Sequence, residues 1–167
     1  MQRDPFKSFS GGYSLFELVV YSGILAIIAV LAVGSLLSIY KVYLRTSVER
    51  SLSAEGDVAL ETMVREIRAA NVTDTGVSVF GASPGILKVG DKKFSLSSGT
   101  LQVQNGANPP DDLTADTRVT NLKFYRMISS GAINSEIIKV EFTLEAGSGA
   151  YLRTKNFYGS AVLRGMY

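Results

Sequence analysis

The chain has 167 residues and a formal net charge of +2, and it contains neither histidine nor cysteine. This length suits one compact domain with an anchor, and the small net charge gives no argument for a nucleic-acid or acidic partner. Without histidine and cysteine, the commonest general base, thiolate zinc sites, cysteine nucleophiles and disulfides are all excluded. We therefore expect no enzyme activity, no cofactor and no metal site.

The first predicted element is an apolar helix. Residues 18–40 form a run of 23 residues without a charge, rich in Leu, Ile, Val and Ala. A helix rises about 1.5 Å per residue, so this run would be roughly 34 Å long, against about 30 Å for the hydrocarbon core of a bilayer. Lys41 and Arg45 follow the run. The pattern predicts a transmembrane helix rather than a buried core helix.

Glu17 stands directly before this run, and it discriminates between three possible uses of the helix. The helix could be a permanent anchor, or a cleavable secretory signal with residues 32–34 (Ala-Val-Gly) as the cleavage site. It could also leave the membrane and pack against copies of itself. A charged side chain in a membrane is costly unless it has a partner or a function. For an anchor or a signal Glu17 is an unexplained cost, whereas in a helical bundle it is a polar contact that needs a cation.

A free amino group at Tyr13 would supply that cation. Tyr13 and Glu17 are four residues apart, so they share one face of a helix. The lysines and arginines before and after Glu17 lie too far along the chain to reach it comfortably. The amine would exist only if the chain were cut after Gly12, and a residue without a side chain suits a tight protease cleft.

Residues 12–17, Gly-Tyr-Ser-Leu-Phe-Glu, together with the apolar run resemble the prepilin signal of type IV pilins and type II secretion pseudopilins. In that family a short basic leader ends in Gly, a large apolar residue and a Ser or Thr follow, and Glu comes fifth. The leader, residues 1–12, fits in length and charge. Phe16 departs from the more usual aliphatic residue or proline. Gly34 stands where many major pilins have a helix-kinking proline.

The resemblance implies a processing and assembly route. A prepilin peptidase would cut between Gly12 and Tyr13 on the cytoplasmic side and N-methylate the new amine of Tyr13. Glu17 would then be the assembly contact, pairing with the N-terminal amine of a neighbouring subunit. The implied partners are this peptidase, other pilin or pseudopilin subunits, the inner-membrane assembly platform and, before assembly, membrane lipid. The implied location is the bacterial cytoplasmic membrane, with a single pass and the N-terminus inside, and afterwards an extracytoplasmic filament.

The helical pattern continues beyond the apolar run. We predict one helix over residues 14–70, with Asn71 as a candidate C-cap. Its second half is amphipathic, because apolar residues recur there at three- and four-residue spacing, with Gly56 in the same row. These apolar residues are Leu44, Val48, Leu52, Leu60, Met63, Val64 and Ile67. We expect this stripe to pack on the sheet of the same chain.

From residue 72 onward, short β-rich runs alternate with Gly, Ser, Asn and Pro. Residues 138–144 alternate cleanly between apolar and polar, which predicts a strand with one buried face. The predicted strands cover residues 77–80, 86–89, 92–96, 100–104, 118–127, 137–145, 151–158 and 161–164, with a loop over 105–116. The expected fold is α+β: a long helix packed on an antiparallel β-sheet head, as in pilins.

This gives four parts: a leader (1–12), a membrane or filament-core helix (13–40), an amphipathic half-helix (41–71) and a β-rich head (72–167). Three stretches of the head, residues 119–127, 137–149 and 155–164, resemble minor pilins and J-class pseudopilins, which favours a minor subunit. The other hypothesis is a membrane-anchored or secreted β-rich adhesin outside any filament.

Two features of the head suggest ligands, and both have a simpler interpretation. Asp111, Asp112 and Asp116 could offer oxygens to calcium, but they lack a recognisable ligand spacing, so we expect a solvated loop. Cations adjoin aromatic residues at 92–94 and 123–126, as in single-strand binders. Strand alternation would place such neighbours on opposite faces, so we expect no nucleic-acid partner for this subunit.

Overall fold

The computed structural model describes residues 14–129 and 135–164. The predicted long helix is confirmed as α1, Leu15–Ala69, which has 55 residues. Near its end the Ala70 N–H donates to the Glu66 carbonyl (3.1 Å), and the Ala70 carbonyl accepts from Arg164 (3.2 Å). Asn71, the predicted C-cap, lies outside the helix and is exposed.

The chain forms two compact units, Met1–Tyr43 and Leu44–Tyr167. In the first unit, every described residue after Ser14 belongs to α1. The second unit contains the rest of α1 and all the strands. The predicted α+β class is confirmed, with the strands arranged in two antiparallel sheets rather than one.

The first sheet has four strands in the order β1-β2-β3-β4. These are β1 (Leu87–Val89), β2 (Lys92–Ser97), β3 (Thr100–Asn105) and β4 (Asp111–Asp112). Gly90 and Gly99 turn the chain with φ of 54° and 86°, in the region that favours glycine. The strand predicted over residues 77–80 was wrong, because this segment forms only one bridge, between Val79 and Ile86. The chain then crosses to the second sheet, where the Gly81 N–H donates to the Phe124 carbonyl (2.8 Å).

The second sheet has three strands in the order β5-β6-β7. These are β5 (Arg118–Ser129), β6 (Ser135–Ala146) and β7 (Arg153–Val162), with a 3-10 turn at Gly149–Tyr151. The prediction of separate strands over 151–158 and 161–164 was wrong, because β7 is continuous through Gly159. A Cβ at Gly159 would lie 2.7 Å from Leu60 Cδ1, so this glycine permits close helix packing rather than ending the strand.

The core lies between α1 and the sheets. The predicted stripe packs as expected, with Leu52, Met63 and Ile67 buried, and Ala59 joins it. In β6 every second residue is buried, as the alternation predicted. The largest fully buried side chains on the strands are Leu87, Phe94, Leu101, Leu122, Phe124, Ile138, Phe142 and Leu144.

Candidate functional site

The candidate site is the apolar half of α1. An 18-residue window in this helix has a mean hydropathy of 2.4, and none of the window is buried. Leu25 is 71% exposed and Val30 72%, although both are strongly apolar. By length and composition this helix is able to cross a membrane. A large unburied apolar surface of this kind indicates contact with lipid or with another protein.

Two serines of this segment donate hydrogen bonds to the helix backbone. The Ser22 hydroxyl donates to the Val19 carbonyl (2.9 Å), and the Ser38 hydroxyl donates to the Gly34 carbonyl (3.0 Å). The backbone groups are paired within the helix, which a hydrocarbon environment requires. Neither serine therefore carries an unpaired donor into an apolar environment.

Glu17 lies in the first turn of α1 and is half-buried, between Phe16 (76% exposed) and Leu18 (64% exposed). A carboxylate in the first turn interacts favourably with the partial positive charge of the helix N-terminus. Among the described residues no salt bridge includes Glu17. Gly12 and Tyr13, the predicted cleavage site and the predicted methylated residue, lie outside the described residues. Their predicted roles stay predictions.

The two glycines of this segment have space around them. A Cβ added to Gly23 or to Gly34 would meet nothing within 4 Å, apart from the helix's own neighbouring backbone. Gly34 and Ser38 line a shallow groove of about 700 Å³ with Val30, Leu31, Ser35 and Ile39. Packing among the described residues therefore does not require glycine at either position.

On the head, the outer face of the second sheet carries a charged and aromatic cluster. Lys139 forms an ion pair with Glu141 (2.5 Å), and its Nζ lies 5.6 Å from the ring centre of Tyr125 and 6.0 Å from that of Tyr158. The Lys139 hydrogen bond holds the pKa of Glu141 below its usual range, and the same contact raises the pKa of Lys139. The cluster is thus an internally neutralised ion pair between aromatic rings.

The cation and aromatic neighbours of the sequence are split between faces, as strand alternation predicted. Phe94 and Phe124 are fully buried, whereas Lys93 and Lys123 are half-exposed. Phe124 therefore belongs to the core and is not available for stacking on a base. The sequence did not reveal the Lys139–Tyr158 contact, because these residues come from different strands.

Glu55 is a further residue whose role the sequence did not reveal. Its carboxylate accepts hydrogen bonds from the backbone N–H groups of Ala115 (3.2 Å), Asp116 (2.9 Å) and Thr117 (3.2 Å). It also accepts one from the Thr117 hydroxyl (2.7 Å). Three successive N–H groups form a concave site that binds an anion, and here the anion is a side chain of α1. No sequence signal connects residues about sixty positions apart.

The loop predicted over residues 105–116 is interrupted by β4, Asp111–Asp112, and its acidic segment is held by hydrogen bonds. Asp112 accepts from the Gln102 side chain (2.7 Å), and the Asp116 N–H is taken by Glu55. Within residues 14–129 and 135–164, no group of three or more His, Cys, Asp or Glu side chains is arranged to hold a metal ion. The contacts found for these acids are thus hydrogen bonds within the head.

A second ion pair is buried at the far end of β5 and β6. Glu136 is only 3% exposed and accepts hydrogen bonds from Arg126 Nε (2.7 Å) and Nη2 (3.3 Å). This contact raises the pKa of Arg126. The guanidinium compensates a carboxylate that would otherwise be buried without a partner.

Comparisons of the chain with protein-family models, with curated proteins and with solved structures find no match.

Proposed function

We propose that this protein is a structural subunit of a type IV pilus-like filament, most similar to minor pilins or pseudopilins, and not an enzyme. The observation that carries the proposal is the first half of α1, where Glu17 lies in the first turn and an entirely unburied apolar segment follows. Both features need a partner outside the described part of this chain. A filament of packed helices supplies apolar neighbours and a cation together.

The proposal gives Glu17 a specific role. A carboxylate left unpaired in an apolar helical bundle is strongly penalised, whereas a paired one is tolerated. Cleavage after Gly12 would create an amine at Tyr13, and N-methylation would leave its positive charge. Pairing of Glu17 with the amine of a neighbouring subunit would then favour one register of packing over others.

The glycines and serines of the apolar segment support helix packing. Small residues let helices approach closely in an apolar environment, where packing rather than burial from water drives association. Gly23 and Gly34 have room for a side chain within the described chain, so intramolecular packing does not account for them. Before assembly, the same segment would hold the subunit in the bacterial cytoplasmic membrane, with the head outside the cytoplasm.

The first test is the intact mass and N-terminal sequence of the protein purified from its native host. The proposal expects a mature chain that starts at N-methylated Tyr13. A mature chain that starts at Met1 or at Ser35 contradicts the proposal. It would favour instead an anchored or secreted β-rich binding protein.

The second test concerns Glu17. We expect Glu17→Ala to be cleaved at the normal rate but to enter filaments at least about tenfold less, because a desolvated charge pair contributes well over 1.4 kcal/mol to placement. Glu61→Ala is the matched control, since Glu61 is an exposed acid on the other half of α1. Normal incorporation of Glu17→Ala would show that the carboxylate has no docking role.

A further inference from the structure

The two edges of the three-stranded sheet differ. The outer edge of β5 is covered, because Gly81 and Gly85 donate backbone hydrogen bonds to the carbonyls of Phe124 and Leu122 (2.8 Å each). The opposite edge belongs to β7, Arg153–Val162, and within residues 14–129 and 135–164 its only neighbouring strand is β6. Among the described residues, no backbone hydrogen bond from another segment reaches β7. One edge of the sheet is therefore open.

The direction of the free backbone groups on β7 follows from one hydrogen bond. The Leu163 N–H donates to the Glu136 carbonyl of β6 (3.0 Å). Backbone groups of alternate residues point to the same side of a strand, so the odd-numbered residues of β7 pair with β6. The N–H and C=O groups of Asn156, Tyr158 and Ser160 therefore point away from the sheet, and all three residues are exposed.

Over residues 156–162 this edge lacks the features that usually prevent strand addition. Natural edges are protected by charges, proline, bulges or a covering segment. β7 pairs with β6 over ten consecutive residues without a register shift, and it contains no proline. Its charges, Arg153 and Lys155, lie in its first three residues, and residues 156–162 carry none.

Two apolar side chains of α1, Leu60 and Val64, lie beside the open edge. The added Cβ of Gly159 would lie 2.7 Å from Leu60 Cδ1 and 3.2 Å from Val64 Cγ2, so these two side chains lie over β7. Both are only half-buried. A cavity of about 350 Å³, lined by Arg68, Ile137 and residues 160–162, lies at the end of the same strand. A further strand beside β7 would cover Leu60 and Val64 with its own side chains.

We propose that the β7 edge takes up an extended segment of a partner protein as a fourth strand. The backbone groups of β7 provide the affinity, and the side chains beside the edge define the partner. Arg153 and Lys155 favour an acidic residue at one end of the segment, while residues 156–162 favour an uncharged stretch. Leu60 and Val64 favour apolar side chains at alternate positions, on the face turned toward α1.

Antiparallel pairing of two β7 edges does not suit a second copy of this chain. α1 and β7 run in the same direction, because Ser53 contacts Lys155 and Leu60 contacts Gly159. Two antiparallel β7 edges would therefore place the two α1 helices antiparallel, with their Leu44 ends at opposite ends of the pair. Chains that all leave one membrane at Leu44 need these ends on the same side, and this step alone rests on the function proposed above.

Parallel pairing of two copies in register is also unfavourable. It would set Lys155 beside Lys155 of the second copy and bring the two Arg153 side chains equally close. Like charges on directly neighbouring strands are destabilising. A segment with the complementary charge avoids both problems, so the partner is a different polypeptide.

The probe is a synthetic peptide with the β6 sequence, Ser135–Ala146, because β6 is the strand that pairs with β7 in this fold. It alternates apolar and polar residues, so its apolar side chains can share the face turned toward α1 when it lies beside β7. Labelled peptide is titrated against the full chain in detergent. We expect saturable binding together with slower amide exchange at residues 156, 158, 160 and 162.

One pair of protein variants and one pair of modified peptides test whether the peptide binds at the β7 edge. Ser160→Pro removes one outward N–H, while Ser160→Ala keeps it, so only the proline variant should bind about tenfold or more weakly. In the second pair, the peptide is N-methylated on one or the other set of alternate residues. Only one set faces β7, so one methylated peptide should lose binding and the other should keep it. This pair does not depend on how the proline variant folds.

Three results would overturn the proposal. The first is the absence of saturable binding up to about 1 mM peptide. The second is an equal effect of both methylated peptides, which would exclude pairing through one backbone edge. The third is protection of the β7 amides without peptide in a protein that sediments as a dimer, which would make the occupant a second copy. None of these results depends on cleavage at Gly12 or on filament formation.

Discussion

The two compact units use apolar residues in opposite ways. In Leu44–Tyr167, Met63, Phe94 and Phe124 are fully buried against neighbours from the same chain. In Met1–Tyr43, equally apolar side chains such as Leu25 and Val30 are more than 70% exposed. The head therefore contains its own solvent-excluded core, whereas the apolar segment depends on an environment that the described chain does not provide.

The glycines of α1 show the same contrast. A Cβ at Gly56 would overlap the ring of Phe157, which stacks on Phe142 with 5.0 Å between ring centres. A Cβ at Gly34 would meet nothing within 4 Å. Packing within the chain requires glycine at position 56 in the head, but it does not require glycine at position 34 in the apolar segment.

Substitution of these two glycines should produce the largest difference between the units. We expect Gly56→Leu to lower the free energy of unfolding of the head by about 3 kcal/mol, because the leucine must displace the Phe157 ring from a packed core. Gly34→Leu is the matched control and should change this free energy by less than about 0.5 kcal/mol. The measurement is denaturant unfolding of the full chain in detergent, followed by tyrosine fluorescence.

Two outcomes would contradict this contrast. A similar loss in both variants would mean that the apolar segment contributes to the stability of the head. No loss in Gly56→Leu would mean that the ring of Phe157 moves aside at little cost.

The sequence predicted the parts of the fold that depend on local periodicity. The 3.6-residue spacing of Leu52, Met63 and Ile67 located α1 and its buried face, and the two-residue alternation of residues 138–144 located β6 and its buried face. The strand break predicted near Gly159 was wrong. This position needs glycine because Leu60, about a hundred residues away in sequence, packs directly against it. Contacts between distant segments leave no local pattern.

The candidate site divides in the same way. Glu17 was identified from its local context, as an acid beside a charge-free apolar run. Glu55 was missed, because its partners are backbone N–H groups of residues 115–117, which carry no sequence signature. The open edge of β7 was also missed, since it depends on the strand order rather than on any one strand.

The acids Glu17 and Glu55 extend the comparison between the two units. Glu55 accepts four hydrogen bonds from the chain, and we expect Glu55→Ala to cost about 1–2 kcal/mol of unfolding free energy, because it leaves the N–H groups of residues 115–117 without their acceptor. Amide exchange at these residues should become faster. Asp57→Ala is the control, since Asp57 is an exposed acid on the same helix, and it should change neither quantity. Unchanged exchange in Glu55→Ala would show that the loop holds its conformation without the carboxylate.

Acid titration should give the smallest effect and further separate the two units. Lys88 Nζ donates to Asp74 (2.9 Å), and this hydrogen bond holds the pKa of Asp74 below its ordinary value of 3.8. The unfolded chain then binds a proton at a higher pH than the folded head. The stabilisation from this pair is therefore complete above about pH 4 and is lost as the pH falls through the lower pKa of the folded state.

Lys88→Met should make the head slightly less stable at pH 7 and should flatten the decline below about pH 4, because Asp74 loses its main reason for a low pKa. Glu17→Gln is the matched control, since Glu17 makes no ion pair within the described residues, and its unfolding profile should follow that of the unchanged chain. Denaturant unfolding at a series of pH values measures both. A steeper loss of unfolding free energy with falling pH in Lys88→Met would contradict the sign of this linkage. A changed profile in Glu17→Gln would show that an acid of the apolar unit contributes to the stability of the head.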